Sequence, residues 1–179
     1  LDLGLPDRDG VELIGEIRTW SDVPIVIVSA RGMERSKIEA LDAGADDYLT
    51  KPFGVGELLA RVRVALRHLA SRAATTPQQS EFSVGDLHID LNAHRVTVAG
   101  EEVHLTPTEY RLVVALIKHS GRVVTHGTLL SEVWGPGRDS ETQYLRVFVA
   151  NLRRKLEPNP ARPRYLLTEV GVGYRLLDE

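Results

Sequence analysis

Three residues of complementary chemistry stand at matching points in the first half of the chain: Asp2, Ser29 and Lys51. Each lies at the carboxyl end of a short run that reads as a strand, over Leu1–Leu3, Ile25–Val28 and Asp47–Thr50. A carboxylate, a hydroxyl and an ammonium that meet at one point can carry phosphoryl transfer. The carboxylate attacks, while the cation and the fixed hydroxyl offset charge on the phosphoryl oxygens. Ordinary loop polar residues also end strands, but three of complementary type at equivalent positions weigh against that reading.

A second kind of chemistry sits in Asp139–Leu156, DSETQYLRVFVANLRRKL. Ser140 and Gln143 have capping-box spacing, which predicts a helix opening there. Leu145, Val149, Leu152 and Leu156 recur at helical spacing and make an apolar face. The opposite face carries Gln143, Val147, Ala150 and Arg154, flanked by Arg146 and Asn151. From Gln143 to Lys155 there are basic residues and no acidic one. A helix that is greasy on one side, basic and amide-bearing on the other fits a DNA major groove. A solvated amphipathic helix shows the same pattern, so the surrounding elements must decide.

Those elements alternate in the first half. After the first strand, Gly4, Pro6, Asp7, Asp9 and Gly10 make a loop. Val11–Trp20 reads as a helix with a Leu13, Ile14 and Ile17 stripe. The β-branched run Ile25–Val28 reads as a strand buried on both faces. Glu34–Ala43 is a helix closed by Gly44, and Gly54–Leu69 a third helix with Leu58, Val62, Ala65 and Leu69 inward. Strand and helix in alternation predict a parallel α/β sheet, whose functional groups gather at the carboxyl ends of its strands.

Ser71–Ser80, SRAATTPQQS, reads as a flexible linker. Phe82–Val84, Leu87–Leu91, Arg95–Ala99 and Glu102–Leu105 then read as four short strands. Thr106-Pro107-Thr108-Glu109 is a capping box with proline at the first helical position, and Tyr110, Val113, Val114 and Ile117 are its helix's expected core stripe. Thr125 can cap a second helix carrying Leu129, Leu130, Val133 and Trp134 inside. Tyr165–Glu169 and Tyr174–Leu177 read as a hairpin. Helices followed by a terminal hairpin describe a winged helix-turn-helix. The expected division is residues 1–70, linker 71–80 and DNA-binding domain 81–179.

Composition sets bounds. The 179 residues are 42% hydrophobic with a net charge of −3, so nucleic-acid binding must come from a local patch. The absence of cysteine excludes disulfides and thiolate metal sites. The histidines show no ligand spacing. No apolar run approaches the roughly 20 residues of a membrane span, and no signal peptide is visible, so a cytoplasmic protein with no membrane partner is expected.

DLGLPDRDG, IVIVSAR and ADDYLTKPF resemble the receiver domain of a bacterial response regulator, the ADDY and KPF elements resembling the OmpR/PhoB family in particular. LTPTEYRLVVAL, LRRKLE and GVGYRL resemble that family's effector domain, so the resemblance covers essentially the whole chain. It implies a truncated, doubly wound flavodoxin-like receiver followed by an α+β winged helix. It implies that Asp2 is the phosphoacceptor, that Ser29 and Lys51 contact the phosphoryl oxygens, and that Tyr48 is the aromatic that moves with Ser29. It implies a Mg²⁺ ion held by Asp2 and the Gly4 carbonyl, and a cis Lys51-Pro52 bond. The family has further strands, helices and an acidic metal-binding pair ahead of the phosphoacceptor strand. Their absence here predicts a fragment that binds Mg²⁺ weakly.

For DNA, the resemblance places Arg146, Val147 and Asn151 at base-facing positions and Gln143, Tyr144, Phe148, Arg153 and Thr168 near phosphates. The helical wheel agrees for Arg146, Val147 and Asn151, moves Phe148 to the core side, and points Arg154 outward. Val170 stands where many members carry a basic wing residue. Lys37, Asp47, Glu57 and Arg61 match an activated-dimer face, with intermolecular Lys37–Glu57 and Asp47–Arg61 pairs expected. The implied partners are promoter DNA in direct repeats, a sensor histidine kinase, RNA polymerase and a second copy of the chain. Within the family, WSDVPIVIVSAR, KPFGVGEL and ARPRYLLTEVGVGYR most resemble regulators of potassium-transport operons. An aspartyl-phosphate enzyme is the competing class; it would want a carboxylate two residues after Asp2, where Gly4 stands. A stand-alone interaction module is the third, and the winged-helix half argues against it.

Overall fold

A computed structural model describes residues 1–71, 80–138 and 140–178. Residues 72–79, within the expected linker at 71–80, and Asp139 lie outside the described residues.

The first half contains α1 (Gly10–Arg18), β1 (Val26–Ser29), α2 (Glu34–Asp42), β2 (Asp47–Thr50) and α3 (Val55–Ser71). β1 and β2 pair in parallel, with Val26 opposite Asp47 and Ser29 opposite Thr50. Leu1 joins the other side of β1: its amine donates to the Val26 carbonyl and its carbonyl accepts from the Val28 N–H. The expected first strand is thus present as an edge contact rather than a regular strand. The Asp9 carboxylate caps α1 by accepting from the Val11 N–H at 2.7 Å. That cap starts the helix earlier than the expected Val11, and the helix ends at Arg18 rather than Trp20. Ile25 and Ile27 are buried while Val26 and Val28 are half-buried, so β1 is fully covered on one face only, not on both.

The second half opens with an antiparallel sheet ordered β3 (Glu81–Val84), β4 (Leu87–Asp90), β5 (Arg95–Val98) and β6 (Glu101–Glu102). Three helices follow: α4 (Pro107–Ile117), α5 (His126–Trp134) and α6 (Thr142–Leu156). The Thr106/Glu109 capping box is formed, with both reciprocal bonds present. The α4 core stripe is Leu112, Val113, Leu116 and Ile117; Tyr110 and Val114, expected inside, are half-buried. Leu129, Leu130, Val133 and Trp134 of α5 are buried as expected. α6 starts at Thr142 after Glu141, with no side-chain cap, so the expected Ser140/Gln143 capping box is not formed.

The chain closes with β8 (Leu166–Glu169) and β9 (Gly173–Leu176), joined by an unforeseen two-residue strand, β7 (Val124–Thr125), in the order β7-β9-β8. Gly173 is required there, because a Cβ would lie 1.9 Å from the Val124 carbonyl oxygen. The apolar face of α6 (Leu145, Val149, Leu152 and Leu156) packs into the core formed by α4 and α5. Each such burial contributes about 1.5–3 kcal/mol, and together they fix α6 beside the β8–β9 wing.

Candidate functional site

The strand ends bring Asp2 and Lys51 together. Lys51 Nζ donates to Asp2 Oδ2 at 2.7 Å, and the Gly4 N–H donates to Asp2 Oδ1 at 3.0 Å. The Lys51 bond, then the Gly4 bond, hold the Asp2 carboxyl below the ordinary carboxylate range. Ser29 is buried at the end of β1, and its Oγ accepts from the Arg31 N–H at 3.2 Å. The Tyr48 hydroxyl donates to the Arg31 carbonyl at 2.6 Å, so one residue's backbone links Ser29 to Tyr48. The Lys51-Pro52 bond is cis. Asp2 and the Gly4 carbonyl could supply two oxygens to a Mg²⁺ ion, but among the described residues no group of three acidic or imidazole side chains could hold a metal. Asp2 and the Gly4 carbonyl would fill two positions of the octahedral shell that Mg²⁺ demands.

The second site is α6. Of the face the helical wheel assigns, Gln143, Ala150 and Arg154 are exposed with the flanking Arg146, while Val147 is half-buried. Phe148 is buried, with its ring 5.2 Å from that of Trp134. Two expected DNA contacts are not accessible in this arrangement. Tyr144 is buried beside the Arg138 guanidinium, and Asn151 is only 6% exposed. The Asn151 Oδ1 is buried without a hydrogen-bond partner. Arg138, Glu141, Asp47 and Arg61 surround Tyr144, and α6 lies against α2 of the first half as well as against its own core. Arg154 reaches Asp42 at the end of α2 at 2.5 Å.

Asp46 and Asp47, adjacent at the start of β2, hold the two halves together. Arg138, in the loop before α6, donates through Nη1 and Nη2 to the two Asp47 oxygens at 2.7 and 2.8 Å. It also pairs with Glu141. Arg61 of α3 donates to the same Asp47 carboxylate at 3.0 and 3.1 Å and to Glu57 at 2.5 Å. Asp46 Oδ1 accepts from the Thr108 N–H and hydroxyl at 2.9 and 2.6 Å; Oδ2 accepts from Arg18 and the Ile25 N–H, each at 2.8 Å. The Trp134 indole N–H donates to the Asp46 carbonyl at 3.1 Å. Burial pushes the Asp46 carboxyl up, and Arg18 and Thr108 oppose that shift. Removing one partner of such a buried set leaves the other charge uncompensated, which costs on the order of 3–5 kcal/mol.

The expected dimer-face residues are therefore occupied within one chain. Asp47 pairs with Arg61 internally, Glu57 pairs with Arg61, and the Lys37 ammonium stands 5.9 Å from the Tyr48 ring centroid. Arg138, Asp46, Thr108 and Trp134 carry the contact between the halves, and sequence reasoning placed none of them at such a contact. The adjacent acid pair was the available signal.

The wing is tied to α6. Arg153, expected near a phosphate, donates to the Leu166 carbonyl at 3.0 and 2.7 Å and to the Thr168 hydroxyl at 2.7 Å. Thr168 is exposed, and Val170 at the wing tip is 91% exposed.

Residues 1–63 match the response regulator receiver domain family, and residues 100–176 match the family described as transcriptional regulatory protein, C terminal. The KDP operon transcriptional regulatory protein KdpE of Escherichia coli is 52% identical over 177 residues, covering 99% of this chain and 77% of that protein. The crystal structure of response regulator DrrB, a Thermotoga maritima OmpR/PhoB homolog, is similar with a TM-score of 0.50 at 32% identity, over 99% of this chain and 77% of that one. The Klebsiella pneumoniae RstA DNA-binding domain, solved with its RstA box, is similar with a TM-score of 0.52 at 27% identity, over 56% of this chain and 100% of that one.

Proposed function

Since the chain belongs to the response-regulator family, with a receiver domain and an OmpR/PhoB-type winged-helix effector domain, we propose that it controls a potassium-transport operon and that the arrangement described above is its resting state. The chain is a DNA-binding transcriptional regulator controlled by phosphorylation and not an enzyme. The operon assignment rests on the identity to KdpE.

In this reading residues 1–70 are the receiver part, 71–80 the linker and 81–179 the effector domain. Asp2 takes the phosphoryl group from a sensor histidine kinase: a carboxylate oxygen bonds to phosphorus as the phosphohistidine N–P bond breaks. Lys51 and Ser29 then neutralise and orient the phosphoryl oxygens. Mg²⁺ assists phosphorylation in receivers generally, and this chain's residues bind it weakly. Gln143, Arg146, Val147, Asn151 and Arg154 face DNA, with Thr168 and Tyr144 toward the backbone. RNA polymerase and a second copy of the chain, paired through Lys37, Asp47, Glu57 and Arg61, are the protein partners. Among the described residues no helix is long and apolar enough to cross a membrane, and the site of action is the cytoplasm.

The observation that carries the resting-state reading is the bidentate Arg138–Asp47 pair. It engages a carboxylate on the expected dimer face and holds α6 where Asn151 and Tyr144 are covered. Closure and dimerisation would compete for Asp47. A phosphoryl group on Asp2 can shift that balance only by binding the two states differently. The chain Ser29–Arg31–Tyr48, one strand position from Asp47, offers that difference. The test is affinity for the potassium-transport promoter of the source genome and for unrelated promoters, with and without acetyl phosphate. Preferential binding that rises on phosphorylation supports the proposal; equal binding to all promoters refutes the operon assignment.

A further inference from the structure

The last turn of α6 carries a pair of side chains that grip the wing from both polarities. Glu157, buried at the helix C-cap, accepts from the N–H groups of Arg164, Tyr165 and Leu166 at 2.7, 2.9 and 2.8 Å. Arg153, one turn earlier, donates through Nε and Nη2 to the Leu166 carbonyl and through Nη2 to Thr168 Oγ1. Its guanidinium also stands 5.9 Å from the ring centroid of Tyr174 on β9. Burial lowers the Arg153 pKa, the direction expected for a guanidinium drawn into the structure.

We propose that Arg153 is a positioning residue for DNA recognition, setting the wing against the recognition helix and directing the Thr168 hydroxyl, rather than a phosphate contact in its own right. This rests on the DNA-binding reading of α6. The guanidinium has five N–H donors in a fixed fork, and three are committed to the wing. Thr168 Oγ1 accepts one of them, so its own O–H must point elsewhere. Thr168 is exposed, and a phosphate oxygen is an acceptor that this proton can meet. Donation from a cation into the hydroxyl oxygen strengthens the hydroxyl as a donor. Arg153 then acts on DNA through Thr168 and through the wing's angle, and what matters is its fork, not its charge. Lysine carries the same charge on a point donor and cannot reproduce the fork.

This separates the two roles. The probe is a duplex selected by the wild-type chain from a randomised pool, with binding measured across a salt series for the whole chain. If Arg153 positions, Arg153→Lys and Arg153→Ala weaken binding alike, on the order of tenfold for the lost charge-assisted bonds. The salt slope stays at the wild-type value, because no phosphate loses a cation. Thr168→Val has little further effect in the Arg153→Lys background. Phosphate-ethylation interference should lose its wing-side signals and keep those of α6, a pattern that general destabilisation would not give; unchanged circular dichroism melting confirms that the fold is kept. If Arg153→Lys binds like wild type while Arg153→Ala lowers the slope by about 0.9, Arg153 is a phosphate contact and the proposal fails alone. If the wild-type chain selects no duplex, the DNA-binding reading fails with it.

Discussion

Arg138 and Asp47 form a two-pronged, nearly buried ion pair across the contact between receiver and effector domain, with N–O distances of 2.7 and 2.8 Å. Asp47 also serves Arg61 on the receiver, so one carboxylate is shared by a domain contact and by the expected dimer face. Arg138→Ala should leave Asp47 with Arg61 and the Tyr48 N–H, and open the contact. The expected readout is faster hydrogen exchange in α2, where it faces α6, and stronger binding of DNA by the unphosphorylated chain. Unchanged exchange in α2 would mean that the Asp46 bonds alone keep the domains closed.

Asn151 gives a substitution with opposite effects on two measurements. Its Oδ1 is buried and unpaired, and an unsatisfied buried polar atom costs about 1–3 kcal/mol. Asn151→Leu should raise the melting temperature of the chain. If Asn151 faces a base in the DNA-bound state, as proposed, the substitution should also weaken binding to the preferred duplex by about 1–3 kcal/mol. Lower stability together with unchanged DNA affinity would remove Asn151 from both roles.

Much of this was legible in the sequence. The Thr106/Glu109 box, the α5 stripe and the wing strands follow from spacing and turn residues, because those signals are local. The exposed face of α6 was legible as well, from the wheel positions of Gln143, Arg146, Ala150 and Arg154. What was not legible depends on packing between distant segments. Nothing in the spacing of Tyr144 says that Arg138 and Asp47 close over it. β7 has two residues and no periodicity, so only its pairing with Gly173 and Tyr174 defines it. Arg153 resembles any basic residue of a recognition helix until the wing is folded onto it.

The phosphoacceptor can be tested through its pH dependence. Lys51 and the Gly4 N–H hold the Asp2 carboxyl below its ordinary value, so the nucleophilic carboxylate is the form present throughout about pH 5–8. Labelling by acetyl phosphate should show no fall attributable to Asp2 across that window and should decline only below the ordinary carboxylate range. Lys51→Ala should move the decline toward higher pH and slow labelling, and Asp2→Asn should abolish it. Undiminished labelling of the Asp2→Asn chain would place the phosphoryl group elsewhere.

Alkaline titration probes the buried tyrosine at the domain contact. Burial raises the Tyr144 pKa, with Glu141 and Asp47 adding to the shift. A raised pKa in the closed state means that this contribution is complete below the ordinary tyrosine value of about 10 and is lost as pH rises beyond it. The wild-type chain should therefore lose stability above about pH 10 more steeply than Tyr144→Phe, measured by urea unfolding at each pH. Identical pH profiles would show that Tyr144 is not buried in solution.

The absence of cysteine makes the most direct measurement practical. Spin labels placed through Glu39→Cys on α2 and Ala150→Cys on α6, both exposed positions, report the separation of the two domains by pulsed electron resonance. The unphosphorylated chain should give one short, narrow distance distribution. Asp47→Ala, which removes the Arg138 partner, should broaden it to longer distances, and phosphorylation or addition of the preferred duplex should do the same. A broad distribution in the unmodified chain, or a narrow one that neither Asp47→Ala nor DNA disturbs, would contradict a closed resting state.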